Sequence, residues 1–326
     1  MSQKFCVKVE NEKQLNVAME FSNVSDIILA RDSFSDCELP KLVDFIKKHK
    51  KGAFILMERI SRYEEKMEIK NLKFLNSNSA HTKDAIKVKN DLRLSTDKVY
   101  EIKNLDGIII QNLDSFAYML RAIKKSTNPS LKVELNYTMN CYNQETKNLY
   151  ETLYRNKRKN GNNIPLTFTA PVELNIYEIS DVGYDTLILY SYIDTMVSAN
   201  CLRKNTKKVD DSLCQNRFNF NKVYDYSSYI IDRKGKKLYY KTYCKYCYNK
   251  IFNTEPLYLI DKIEELELIY RENLENQLVD RDFKTYSNNF KYRIDFSFEN
   301  EKEVRDILSL KKPLSFTRGH YKQSIK

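Results

Sequence analysis

Asp106–Gln111 reads DGIIIQ, and three more apolar runs follow it: LKVELNY (Leu131–Tyr137), PLTFT (Pro165–Thr169) and TLILYSY (Thr186–Tyr192). Stretches with helical spacing lie between them, over Leu113–Lys124, Gln144–Arg155 and Ile176–Asp181. Near-continuous apolar strands suit a parallel sheet covered on both faces, and alternation with helices is its sequence signature. The rhythm extends back to the N-terminus through Lys4–Val9 (KFCVKV), Asp26–Ala30 (DIILA) and Ala53–Met57 (AFILM), with helices over Glu12–Phe21 and Glu38–His49. It resumes at Tyr292–Phe298 (YRIDFSF), where a helix carrying Val304, Ile307 and Leu308 would close the ring. The expected fold is α/β, a TIM-barrel-like (β/α) barrel, with an open doubly wound sheet as the alternative. A long helix is expected over Leu257–Glu275, whereas Glu64–Lys103 is charged and fits neither period.

Met196–Asn253 interrupts this pattern and holds four of the seven cysteines, Cys201, Cys214, Cys244 and Cys247. The last two form a Cys-x-x-Cys, whose sulfurs can grip one soft metal centre. Four thiolates suffice for a structural zinc or an iron–sulfur cluster, while buried thiols are the competing reading. Tyr229–Asp232 and Lys237–Tyr243 flank RKGK, which predicts a β-hairpin with Gly235 in the turn. The expected organisation is a barrel-like part at 1–195, a cysteine-bearing basic insert at 196–255, and a closing part with a basic tail at 256–326. From Cys201 to Lys250 there are thirteen Lys or Arg against four Asp, and eight of the twenty-four tyrosines. Cations with interleaved aromatics suit an RNA partner, and a solvated hairpin with a tyrosine core is the plainer alternative.

A chain of 326 residues with 42% hydrophobic content can bury a substantial core. No apolar run approaches the roughly eighteen residues of a membrane span. The start, MSQKFCVKVENEKQ, lacks the apolar stretch of a secretory signal, so reduced cysteines and a cytoplasmic location are expected. With six glycines in all, no phosphate loop or dinucleotide fingerprint can be written. His-Glu-x-x-His and Gly-x-Ser-x-Gly are also absent. Of the three histidines, His49 lies in a lysine run and His81 in the charged stretch, leaving His320 in TRGHYK as the candidate. Glu173 in APVELN follows a predicted strand, where barrel sites gather; Asn140 and Asn143 in MNCYN are placed alike, with helix capping as the competing role.

MVSANC, YIIDRKGKKLYY, CKYCYNKIFNTEPL, RIDFSFE and TRGHYK, with LNYTMNCYN and TAPVELN upstream, resemble peptidase family U32, the collagenase-like proteins. The resemblance runs from about Asp106 to the end. It implies a TIM-barrel-like body carrying a cysteine-bound centre. Some members of that family are linked to oxygen-independent hydroxylation of RNA or a quinone precursor, and some hold an iron–sulfur cluster on four cysteines. Carried across, the ligands are Cys201, Cys214, Cys244 and Cys247. Asp232 and Arg233 match the family's Asp-Arg pair, and Arg318 with His320 its Arg-Gly-His tail. The family's Gly-Arg pair is replaced by Ser191 and Tyr192. The implied function is an iron–sulfur protein in RNA modification, alone or with a second related subunit. The alternatives are a collagenase-like peptidase and a zinc-shaped, non-catalytic binding scaffold.

Overall fold

The computed structural model describes residues 3–60, 99, 102–122, 130–157, 164–202, 205, 225–278 and 290–322. Most of the charged stretch 64–103, with His81, and also Cys214 lie outside them. Eight parallel strands follow one another around a curled sheet: β1 (Phe5–Val9), β2 (Val24–Ala30), β3 (Gly52–Leu56), β4 (Gly107–Ile110), β5 (Lys132–Leu135), β6 (Leu166–Phe168), β7 (Thr186–Ser191) and β13 (Lys291–Asp295). β13 lies between β7 and β1, and the short β12 (Leu257–Tyr258) adds antiparallel to β7 as the ninth strand.

The expected ring is only partly closed. Between β6 and β7 the described pairing is the bridge Thr169–Thr186, with Ala170 N donating to Thr186 O at 2.9 Å, in place of a ladder. The fold is therefore an α/β partial barrel, curled and mostly parallel.

Helices α1 (Glu12–Glu20), α2 (Leu39–Lys48), α3 (Leu113–Ala122), α4 (Gln144–Lys157), α5 (Ile176–Val182), α6 (Ile263–Leu278) and α7 (Glu301–Leu308) accompany the strands. Period two sorts each strand. Phe5, Val7, Val9, Ile27, Leu29, Ala53, Ile55, Ile108 and Ile110 join the main core, whereas Cys6, Ile28, Phe54, Leu56 and Ile109 form a separate cluster on the concave face. Gly107 is needed for that inner packing, since a Cβ there would lie 2.6 Å from the Phe54 ring. Over β5 and β13 the concave face turns polar. Arg293 donates to Asp295 Oδ1 (2.6 Å), Asp295 Oδ2 (2.8 Å) and Asn136 Oδ1 (3.0 Å), while Glu134 accepts from Thr169 at 2.7 Å.

The predicted hairpin is present as β9 (Asp225–Ile231) and β10 (Lys237–Tyr243), with Gly235 at φ 78° in the turn. It belongs to a larger unit: β8 (Asp194–Ser198) and β11 (Tyr248–Phe252) complete a four-stranded antiparallel sheet ordered β8-β11-β10-β9. The long helix expected from Leu257 instead begins at Ile263, because Leu257–Tyr258 pair with Ser191 and Tyr190 and Ile260–Lys262 form a 3-10 turn. Among the described residues no helix is long and apolar enough to cross a membrane.

Candidate functional site

The structure spreads the residues singled out from sequence over four places. Glu173 sits half-buried in the turn between β6 and α5, beside Tyr142, whose phenol is pushed up by burial and by that carboxyl. Asp232 organises the β9–β10 turn, accepting from Lys234 N (2.7 Å) and Lys236 N (2.8 Å), and Arg233 is exposed next to it. Arg318 clamps the tail: it donates to Tyr258 O (2.8 Å) and to both Asp261 oxygens, and lies 4.7 Å from the Phe316 ring centroid. His320 is exposed two residues further on. Asn143 caps α4, accepting from Thr146 N at 2.8 Å.

The cysteines are treated by the fold more kindly. Cys244 and Cys247 bound the turn between β10 and β11, and Cys201 lies three residues beyond Ser198, the β8 partner of Asn249. Asn249 also donates to the carbonyl of Asn200, drawing that segment to the same end of the small sheet. Cys244 is buried, and Cys201 and Cys247 are half-buried. Soft thiols suit an iron–sulfur cluster or zinc, yet among the described residues no three His, Cys, Asp or Glu groups converge as a metal-holding set. Asp232 and Arg233 lie at the opposite end of β10, whose seven residues span about 20 Å at ~3.3 Å each. They share no site with these cysteines.

The cysteine-bearing sheet packs over the carboxyl-terminal ends of the parallel strands, where barrel sites are built. Lys245, within the Cys-x-x-Cys, is fully buried and donates to Arg31 O (2.8 Å), Phe34 O (2.7 Å) and Asp36 Oδ1 (2.7 Å). Tyr248 donates to Asp32 Oδ2 at 2.5 Å. Glu10, just past β1, takes Lys8 at 2.5 Å, Lys241 at 2.6 Å and Tyr243 at 3.0 Å. Burial alone would raise the Glu10 carboxyl, but Lys241, Lys8 and Lys250 outweigh it and hold it well below the ordinary range. Much of the mouth is thus occupied by the chain's own ion pairs.

What stays open is a cleft of about 1060 Å³ between β9–β10, the β7 and β13 ends, and the segment after α7. Tyr192, Tyr239 and Phe298 line it, with ring centroids 5.4 to 6.1 Å apart. Four carboxyls line this cleft, Glu299, Asp225, Glu303 and Asp306, and burial weakens the acidity of the first two. Glu299 precedes Asn300, the residue that caps α7, and its Oε2 accepts from Ser297 N (2.6 Å) and Phe298 N (2.9 Å). Its Oε1 is buried, and the Tyr190 hydroxyl stands near the carboxyl. Burial pushes the Glu299 carboxyl up, and those amides and Tyr190 only partly offset it. Asp225 Oδ2 lies 3.2 Å from Lys241, and its Oδ1 is buried. Burial raises Asp225 too, with Lys241 and the Ser33 hydroxyl opposing and Glu10 adding to the rise. Lys241 itself stays charged: burial would lower it, but Glu10 and Asp225 together raise it.

Sequence reasoning quoted RIDFSFE without selecting Glu299. The signal was the alternation of Arg293, Asp295, Ser297 and Glu299 with apolar Ile294, Phe296 and Phe298, which marks one polar face in an otherwise buried strand. Asp225 carried no such signal, because it is brought to the cleft only by the β9–β10 register. Tyr192, where the resembled family has Arg, supplies one wall of the cleft.

No protein-family model matches the chain, and no curated protein matches it. Among solved structures, the U32 peptidase Mk0906 is similar at 12% identity and a TM-score of 0.36, over 60% of this chain and 72% of that one. An uncharacterized B. cereus protein is similar at 12% identity and a TM-score of 0.31, over 60% of this chain and 50% of that one. These figures describe a distant fold relationship and carry no argument about chemistry.

Proposed function

We propose that the protein is an enzyme whose proton-transfer chemistry takes place in the cleft between the small sheet and the barrel rim. The observation that carries this reading is the pair Glu299 and Asp225: two carboxyls lining one cavity and made less acidic by burial. A carboxyl raised toward neutrality can both give and take a proton in a turnover. Lys241 supplies a permanent positive charge beside them, suited to a negative charge that develops on substrate.

Modification of RNA with a four-cysteine iron–sulfur centre is the second reading. Cys244 and Cys247 bound one turn of the small sheet, and Cys201 follows the strand that ends beside it, which supports this reading.

The test uses anaerobically prepared protein, with iron, sulfide and zinc determined on the same sample. Wild type, Glu299→Gln and Asp225→Asn are incubated with bulk RNA and with gelatin, and nucleosides and peptides are read by mass spectrometry. The expected result is a mass change in one pool that either variant slows by about 100-fold, the scale of a lost acid–base group. Variants that keep the wild-type rate would contradict the role of the cleft.

A further inference from the structure

The turn of the β9–β10 hairpin is exposed and strongly basic. Arg233, Lys234, Lys236 and Lys237 fill four of the five positions from 233 to 237, and all four side chains are exposed. Asp232 N donates to Lys236 O at 2.9 Å and Gly235 N to Asp232 O at 3.1 Å, so the backbone fixes the turn. Asp232 is the carboxyl next to these cations, and its Oδ1 is taken up by Lys234 N (2.7 Å) and Lys236 N (2.8 Å). Glu255, near Lys236, accepts from the Ser315 hydroxyl. None of the four cations makes an ion pair among the described residues.

Apolar groups stand beside this charge. Ile231 pairs with Lys237 and Tyr229 with Tyr239, so Ile231, Tyr229 and Lys237 share one face of the hairpin. Ile231 is 61% exposed and Tyr229 48%, and the Lys237 ammonium lies 4.8 Å from the Tyr229 ring centroid. The segment after α7 adjoins the hairpin, since Thr254 Oγ1 donates to Lys237 O (2.6 Å) and Thr317 N to Pro256 O (2.8 Å); its Leu314 is fully exposed. Lysines on a sheet edge commonly guard against strand pairing. That guard gains nothing from a bare isoleucine at the same edge. A polyanion such as RNA would satisfy the cations and leave Ile231 in water. The headgroup zone of an anionic bilayer takes cations, tyrosine and aliphatic side chains together.

We propose that the β9–β10 turn docks the protein on an anionic lipid surface. Arg233, Lys234 and Lys236 meet the phosphate headgroups, Tyr229 and Lys237 lie at their level, and Ile231 enters the acyl boundary. The contact is peripheral, built from small increments per cation and one apolar anchor. It is independent of the chemistry assigned to the cleft, because none of the four cations lines that cavity.

The test sediments full-length protein with vesicles of phosphatidylcholine and with vesicles of a phosphatidylcholine–phosphatidylglycerol mixture, at physiological ionic strength. Sedimentation with the anionic vesicles alone is expected, weakening as salt is raised. Lys234→Glu with Lys236→Glu should lower the partition coefficient about 20-fold or more, at about fivefold for each cation withdrawn from the surface. If that reversal lowers the unfolding midpoint, Lys234→Gln with Lys236→Gln replaces it. Ile231→Ser keeps every charge and should weaken vesicle binding about fivefold, the scale of a partly buried aliphatic side chain. Bulk RNA is measured in parallel by gel shift. Sedimentation with both vesicle types alike, or anionic-vesicle binding that the charge variant or Ile231→Ser leaves unchanged, overturns the proposal. RNA binding that the charge variant abolishes, with no sedimentation on either vesicle, overturns it too and assigns the turn to nucleic acid.

Discussion

Glu10→Ala should destabilise the folded chain by about 3–5 kcal/mol, the cost of leaving a buried charge without its partner. Glu10 is 3% exposed and holds Lys8, Lys241 and Tyr243 together, so its removal leaves Lys8 without its carboxylate and Lys241 with Asp225 alone. The loss joins two units, because Lys8 belongs to β1 and Lys241 to β10 of the small sheet. Denaturant unfolding should show a lower midpoint, and lysine-directed labelling should reach Lys241. Glu10→Ala with Lys241→Met should recover part of the loss, since an apolar replacement removes one of the stranded charges. The pH sign follows from the lowered carboxyl. Its contribution is present above the ordinary value of 4.5 and is lost only as pH falls well below it. A Glu10→Ala protein within 1 kcal/mol of wild type would show that this network does not hold the sheet to the barrel.

Asp32→Asn should act in the opposite direction at neutral pH. Burial, with Glu58 and Glu10 adding to it, pushes the Asp32 carboxyl up from 3.8 to about 6 against the pull of Lys250 and the Tyr248 hydrogen bond. A raised carboxyl favours the folded state only while protonated. Its contribution is full below 3.8 and is lost as pH rises through about 6, a shift of about 2 units or about 3 kcal/mol. Asparagine cannot ionise and still accepts from Tyr248, so the variant should gain up to about 3 kcal/mol at pH 8. At pH 3.5 it should match wild type. Equal stability of the two proteins at pH 8 would mean that Asp32 ionises there without cost. Keeping an acid at a place where ionisation weakens the fold is the kind of local conflict found at functional sites.

The parallel strands were legible because their apolar runs are long and their helices amphipathic: DIILA, AFILM, DGIIIQ and TLILYSY all became strands within two residues of the expected bounds. The incomplete β6–β7 join was not legible. PLTFT reads as a full strand, yet its ladder with β5 covers Leu166–Phe168, and toward β7 it makes only the bridge at Thr186, where Ala170 N donates. The spacing of Leu259, Ile260, Ile263 and Leu266 extends a helical pattern back over Leu257–Tyr258. Their backbone instead pairs with β7, a tertiary preference that local periodicity cannot reveal. The basic, tyrosine-rich composition of the insert suits either a surface for an RNA partner or a hairpin with a tyrosine core. Several of those residues turn inward: Lys241, Tyr243, Lys245, Tyr246 and Tyr248 are all buried against the barrel mouth. A lysine buried between carboxylates looks in sequence like one in water, and only the packing tells them apart.

Burial in the cleft makes Glu299 hold its proton more tightly than an ordinary glutamate does. A carbon-13 titration of glutamate side-chain carboxyls, with Glu299 assigned from the Glu299→Gln spectrum, measures this directly. A midpoint clearly above the ordinary 4.5 is expected. A midpoint at or below 4.5 would contradict it, and with it the assignment of acid–base chemistry to this cleft.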